Sequence, residues 1–339
     1  MDVSLWGWAL TLAVLLALIL LDLVIVDRGG PRVFTLRQAG AWVTFYVVLA
    51  IAFGMGLLVL AGGDHAGQFM AGYLTEYSLS IDNLFIFYVI MARFAVPRSS
   101  QHKVLLVGIV IALILRGFFI AVGAAAIARF EWIFFIFGAF LIWTAAGLVR
   151  RRRDDQEFKE NPLLRWVRRV LPATEDYDGS RMVTRQDGRR LLTPLFIVMV
   201  AIGSTDLLFA LDSIPAIFGL TKEPYLVFTS NAFALMGLRQ LYFLLGGLVE
   251  RLVYLRAGLA FILGFIGLKL IAEALHTYHV PWAPEVPIWL SLAVIGVAMA
   301  VTTAASLIKA GKDPSAVRSA GLNPSGAPAG PDVAEATDR

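Results

Sequence analysis

The chain has 339 residues, of which 58% are apolar even before its 30 glycines are counted and only 16% are charged. That composition, with a mean hydropathy of +0.75, lacks the polar surface a soluble enzyme of this size needs. With no cysteine, a disulfide scaffold, a zinc finger and a cysteine nucleophile are all excluded, and the net charge of +4 must be read from where the basic residues fall.

A membrane-spanning helix takes about 20 mostly apolar residues. Nine candidates occur in chain order: 3–26, 40–61, 69–92, 104–127, 132–149, 193–219, 225–249, 257–275 and 286–308. The first has neither a basic leader nor a small-residue cleavage site, so it reads as a retained span. Residues 150–192 form a basic loop with twelve Lys/Arg between Arg150 and Arg190. Within it, Leu163, Leu164, Trp166, Val167 and Val170 alternate with Arg165, Arg168 and Arg169. That pattern fits an interfacial helix on anionic lipid as well as it fits a solvated loop. Residues 311–339, rich in Pro, Gly, Ala and Ser, read as a disordered tail. The chain thus divides into spans 1–5 (1–149), the basic loop (150–192), spans 6–9 (193–310) and the tail.

The basic residues set the orientation. With the N-terminus outside, 24 of the 29 Lys/Arg lie on the cytoplasmic side, and only Arg129 and Lys222 lie outside. The positive-inside rule then gives an external N-terminus and a cytoplasmic C-terminus. The same asymmetry explains the basic pI without nucleic acid.

Two segments repeat one pattern. Thr75-Glu76-Tyr77-Ser78-Leu79-Ser80-Ile81-Asp82-Asn83 and Thr205-Asp206-Leu207-Leu208-Phe209-Ala210-Leu211-Asp212-Ser213 each carry two acids six apart, then a small polar residue. Downstream, Leu115-Arg116 matches Leu238-Arg239, and Phe135-Ile136-Phe137-Gly138 matches Phe261-Ile262-Leu263-Gly264. Each unit holds three spans, 3–5 and 6–8. An odd number reverses the second unit, which is the inverted-repeat plan of many secondary transporters. The expected fold is an all-α polytopic membrane protein with such a 3+3 repeat.

Ionisable groups deep in a span cost roughly 2.5–3.5 kcal/mol each on insertion scales. Here the spans hold Glu76, Asp82, Asp206 and Asp212 against Arg116 and Arg239. Two guanidiniums leave two carboxylates uncompensated, a deficit that one divalent cation or two protons would cancel. Six residues turn an ideal helix by about 600° and advance it about 9 Å, so the acids of a pair do not share a face. Either the helices unwind here or the acids serve successive stations on a path. Pro215 favours a break in span 6, because it lacks an amide proton and clashes with the carbonyl of Leu211, which would then be free to coordinate. Asn231 offers either an amide oxygen or interhelical glue. Carboxylate, amide, hydroxyl and carbonyl oxygens suit Mg2+, Ca2+ or Mn2+. Lys269 and Glu273, four apart, are expected to pair, and Asp22 to reach the interface.

Glu76–Asn83, Phe209-Ala210-Leu211-Asp212-Ser213-Ile214-Pro215-Ala216 and Asn231-Ala232-Phe233-Ala234-Leu235-Met236-Gly237-Leu238-Arg239 resemble the TerC/Alx family of polytopic bacterial membrane proteins. The resemblance covers about residues 5–310. It implies a bacterial inner-membrane protein that exports divalent metal, chiefly manganese, in metal homeostasis or stress resistance. Its functional positions here would be Glu76, Asp82, Asp206 and Asp212, with Asn83, Asn231 and Arg239.

The leading expectation is a secondary Mn2+ exporter exchanging the ion for protons, with Ca2+ or Mg2+ as alternative cargo and no organic cofactor. No P-loop supports ATP drive. An intramembrane aspartyl protease is disfavoured, because Gly203-Ser204-Thr205-Asp206 lacks the second glycine of Gly-x-Gly-Asp. The chain is therefore expected not to be an enzyme. The runner-up is a non-transporting scaffold or a metal or stress sensor.

Overall fold

Apolar runs of the length seen in the sequence satisfy their backbone groups internally by forming helices. The structure is a computed structural model describing residues 3–27, 36–130, 132–150, 165, 174, 177–179, 181–186, 189–245, 254–280 and 283–312. Its first half contains α1 (Leu5–Asp27), α2 (Leu36–Ala61), α3 (Gly63–Arg93), α4 (Arg98–Arg129) and α5 (Ile133–Arg150). A short hairpin of β1 (Val183–Gln186) and β2 (Arg189–Leu192) follows. The second half contains α6 (Pro194–Phe218), α7 (Pro224–Met236), α8 (Leu238–Leu245), α9 (Leu255–Thr277) and α10 (Ile288–Lys312). Six of the described helices, α2, α4, α5, α6, α9 and α10, are long and apolar enough to cross a membrane.

Helix α4 shows how a span is partitioned. Ile109, Ala112, Arg116 and Ile120 are buried, while Ile114, Phe118 and Val122 are exposed. Both sets recur at three- or four-residue spacing, so one face packs inward and the other is an apolar stripe suited to lipid.

Helices α3 and α6 run antiparallel through the centre. Leu84, Phe87, Ile90 and Met91 of α3 share a core with Leu195, Val198, Ala201 and Ile202 of α6. At the other end, Gly72 of α3 approaches Ile217 of α6. Helix α3 also packs on α7, α4 on both α6 and α7, and α5 on α9. The α5–α9 crossing is backbone-close. A Cβ on Gly138 would lie 2.7 Å from the Gly267 carbonyl oxygen, and one on Gly267 would lie 2.8 Å from that of Gly138. Between α2 and α3 the chain turns on Gly62 alone, at φ 90, a backbone region that favours glycine.

The structure corrects two expectations and adds one element that the sequence did not indicate. Span 7 is not one helix but two, α7 and α8, separated at Gly237. The expected break at Pro215 does not occur, and α6 runs unbroken to Phe218. Proline removes one bond, the one to the Leu211 carbonyl, and neighbouring bonds such as Gly219 N–H to Pro215 O at 3.0 Å keep the last turn closed. The added element is the β1–β2 hairpin at the end of the basic loop. The hairpin pairs Val183 with Leu192, and Thr193 N–H donates to the Met182 carbonyl at 3.0 Å. Pro194 then opens α6 where its missing amide is harmless. Tyr177, half-buried beside the hairpin, donates its hydroxyl to the Phe94 carbonyl at 2.6 Å, and burial pushes that hydroxyl's pKa up. The hairpin region is thereby fastened to the α3–α4 turn. The amphipathic pattern 163–170, apart from Arg165, the tail beyond Lys312 and the side chain of Asp22 lie outside the described residues.

The contact between α3 and α7 is directly testable. A Cβ on Gly72 would lie 3.2 Å from that of Ser230, and the native chain has no cysteine to interfere. Gly72→Cys with Ser230→Cys is expected to cross-link on mild oxidation, since the two Cβ atoms need to part by only a few tenths of an ångström to reach the roughly 3.5–4.5 Å of a disulfide. After cleavage in the 150–192 loop the halves should migrate together on a denaturing gel until reduced. Separation under oxidising conditions would contradict the packing.

Candidate functional site

Arg116 is 1% exposed and lies near the middle of α4. A guanidinium there has no water to solvate it, so its donors must find protein acceptors. They find them on three other helices. Nη1 bonds a Glu76 carboxylate oxygen of α3 and donates to Asn231 Oδ1 of α7 at 2.8 Å and to Ser213 Oγ of α6 at 3.3 Å. Nε and Nη2 donate to the two oxygens of Asp206 on α6, at 3.4 and 3.3 Å. This two-point arrangement on one carboxylate is the geometry guanidinium provides and ammonium does not.

Two of the acceptors are themselves positioned by a second contact. Asn231 donates its amide to the Val227 carbonyl at 2.9 Å, one helical turn back, which aims Oδ1 at Arg116. Ser80, one turn after Glu76, donates to the engaged Glu76 oxygen at 3.2 Å. The other Glu76 oxygen, Oε2, is buried and has no hydrogen-bond partner among the described residues. Two carboxylates against one guanidinium leave a formal charge of −1. A buried, under-satisfied carboxylate carries a desolvation penalty of several kcal/mol unless a proton or cation joins it. The centre is thus built to attract positive charge.

The other two motif acids are elsewhere. Asp82 lies six residues beyond Glu76, about 9 Å along α3, and faces Arg256 of α9 at 3.8 Å. Asp212 lies six residues beyond Asp206 on α6 and accepts from the Thr144 hydroxyl of α5 at 3.2 Å. Because α3 and α6 are antiparallel, these steps lead in opposite directions from Arg116. The structure therefore does not gather four acids at one point. Among the described residues, no three His, Asp or Glu side chains converge as a metal-binding group. The arrangement is a centre with one acid on either side, as the turn of an unbroken helix requires.

Of the other sequence candidates, Asn83 is buried next to Asp82, and Arg239 is buried at the start of α8, just past the break at Gly237. Pro215 is buried within α6, while the Leu211 side chain is exposed. Glu273 acts electrostatically on Lys269, but its close ion pair is with another cation. It takes Lys222 Nζ, at 2.7 Å, from the α6–α7 connection, and that ammonium also lies 4.9 Å from the Phe134 ring centre. The sequence reading missed Ser80, Thr144 and Arg256 as partners. Ser80 was findable from its four-residue spacing to Glu76. Thr144 and Arg256 belong to helices distant in sequence, and no local signal marks them.

Residues 61–313 match the family described as "Integral membrane protein TerC family". The chain belongs to the TerC family. It is a multi-pass integral membrane protein. It is 47% identical over 311 residues to an uncharacterized membrane protein of Mycobacterium tuberculosis, covering 88% of this chain and 78% of that one. It is 42% identical over 302 residues to an uncharacterized membrane protein of Myxococcus xanthus, covering 89% and 92%. It is also 39% identical over 288 residues to an Escherichia coli K12 protein named "Putative membrane-bound redox modulator Alx", covering 82% and 88%. No solved structure matches the chain significantly.

The two kinds of ion pair in this TerC-family protein should differ in weight. Arg116→Met strands two buried carboxylates and is expected to cost about 3–5 kcal/mol in detergent without divalent cations. Arg256→Gln removes a partly exposed partner of Asp82 and should cost at most about 1 kcal/mol. Thermal unfolding of both variants checks this. Equal losses would contradict the ranking.

Proposed function

We propose that this TerC-family protein is a secondary transporter of the bacterial cytoplasmic membrane. It exports divalent cations, chiefly Mn2+, through the acidic centre between its two halves, in exchange for protons. The observation that carries the reading is the buried charge imbalance. Glu76, Asp206, Asn231 and Ser213 present oxygen atoms to one point, with a formal −1 and an unpartnered carboxylate oxygen. An all-oxygen set of this kind suits a hard divalent ion.

Two further features support a carrier. The packing keeps its pattern when α3, α4 and α5 are exchanged for α6, α7–α8 and α9. The contact of α3 with α7 corresponds to that of α6 with α4, and α5 meets its counterpart α9 directly. That is the adjacency expected of inverted repeats meeting at a central site. The flanking acids also define a path. On the positive-inside orientation, Asp82 lies on the cytoplasmic side of Arg116 and Asp212 on the external side. An ion entering by Asp82 passes the centre and leaves by Asp212. The redox description of the Escherichia coli relative does not extend to thiol chemistry here, because this chain has no cysteine.

The test is flux in proteoliposomes of the purified protein, with Ca2+, Mg2+ and Zn2+ as competitors. Mn2+ flux that responds to an imposed pH gradient is expected. Asp206→Asn should reduce it by at least about tenfold, the effect of losing roughly 1.4 kcal/mol of stabilisation, while membrane insertion is kept. Full flux in Asp206→Asn would remove the proposed centre. Absence of flux in the wild-type protein, with Mn2+ binding retained, would favour a sensor.

A further inference from the structure

We propose that Arg116 is a built-in counter-cation. Its guanidinium occupies the seat between Glu76, Asp206, Ser213 and Asn231, and a divalent ion binds there by displacing it. The proposal rests on the reading of this chain as a divalent-cation transporter and assigns Arg116 its part in that cycle.

The geometry supplies the first argument. Nη1 alone is shared by oxygens of a carboxylate, an amide and a hydroxyl from three helices, while Nε and Nη2 hold Asp206. These oxygens are the ligands a hard cation needs, and two of the groups are oriented independently of Arg116, Asn231 by the Val227 carbonyl and Glu76 by the Ser80 hydroxyl. Arg116 stands where such an ion would stand.

Charge supplies the second argument. With Arg116 seated, the centre carries −1. With Arg116 withdrawn and a divalent ion seated, two carboxylates and the ion sum to zero. With both present, the sum is +1 in a site whose central residues are at most 3% exposed. Low-dielectric surroundings favour the neutral combination and penalise crowding two cations. Guanidinium and metal are therefore alternatives. The unpartnered Glu76 Oε2 marks the capacity that Arg116 does not fill. A tethered cation always returns, so it prevents the emptied site from holding its cargo and drives release.

The consequence separates binding from transport. Removing the competitor should tighten ion binding while slowing turnover. The experiment is Mn2+ binding to the purified full chain in detergent, measured by the electron paramagnetic resonance signal of free Mn2+, alongside Mn2+ flux in proteoliposomes. Arg116→Gln is expected to lower the Kd for Mn2+ by about tenfold or more and to lose most flux. Its thermal midpoint should rise more on adding Mn2+ than that of the wild type. Arg116→Lys keeps a charge but cannot bridge both acids, and it covers the case in which the glutamine variant does not fold. Its Kd should fall between the other two. Binding no tighter than wild type in the folded variants would overturn the proposal. If the wild type carries no Mn2+ and the variants still bind it more tightly, the transport reading fails and the competition at this seat stands.

Discussion

The burial of Arg116 constrains everything around it. A permanently charged side chain in the middle of a bundle must be matched by acceptors, and it draws them from α3, α6 and α7. Those helices cannot be placed independently once their polar groups meet at one guanidinium. The central packing follows from that meeting. Helices α3 and α6 lie antiparallel, small residues such as Gly72 allow α3 to approach α7, and the remaining faces bury aliphatic side chains. Specificity here comes from charge, and much of the favourable energy comes from packing.

The same constraint leaves a residue of negative charge. Evolution could have balanced Arg116 with a single carboxylate, yet two meet it, and one oxygen of Glu76 lacks a partner. Such an imbalance is costly in a purely structural pair and useful in a site that exchanges cations. The flanking acids fit this contrast. Asp82 and Asp212 are partly accessible; the first faces Arg256 at 3.8 Å and the second accepts from the Thr144 hydroxyl at 3.2 Å.

Much of this was legible in the sequence. The spans, the two acid-x5-acid segments and Arg116 stand out because charge inside an apolar run has no inexpensive explanation. The turn of about 120° between acids six apart already implied that one regular helix cannot direct both at a single point, and in the structure both helices stay unbroken and the acids of each pair meet different partners. The helix break was misplaced because proline is the stronger local signal. Pro215 forfeits one bond near the end of α6, whereas Gly237 separates α7 from α8 with no comparable mark. The closer pairing of Glu273 with Lys222, in addition to its interaction with Lys269, depends on how the α6–α7 connection folds over α9, which helical spacing does not encode. The β-hairpin was hidden by its basic composition, and it becomes ordered by docking on the α3–α4 turn through Tyr177.

The sharing of one buried guanidinium by two carboxylates would be visible in a cryo-electron microscopy map of the protein in lipid nanodiscs under chelator, at a resolution that shows these side chains. The expected result is continuous density from Arg116 to both Glu76 and Asp206, with Asn231 on the same guanidinium. Density placing the two carboxylates on different partners, with Arg116 turned to neither, would contradict the account.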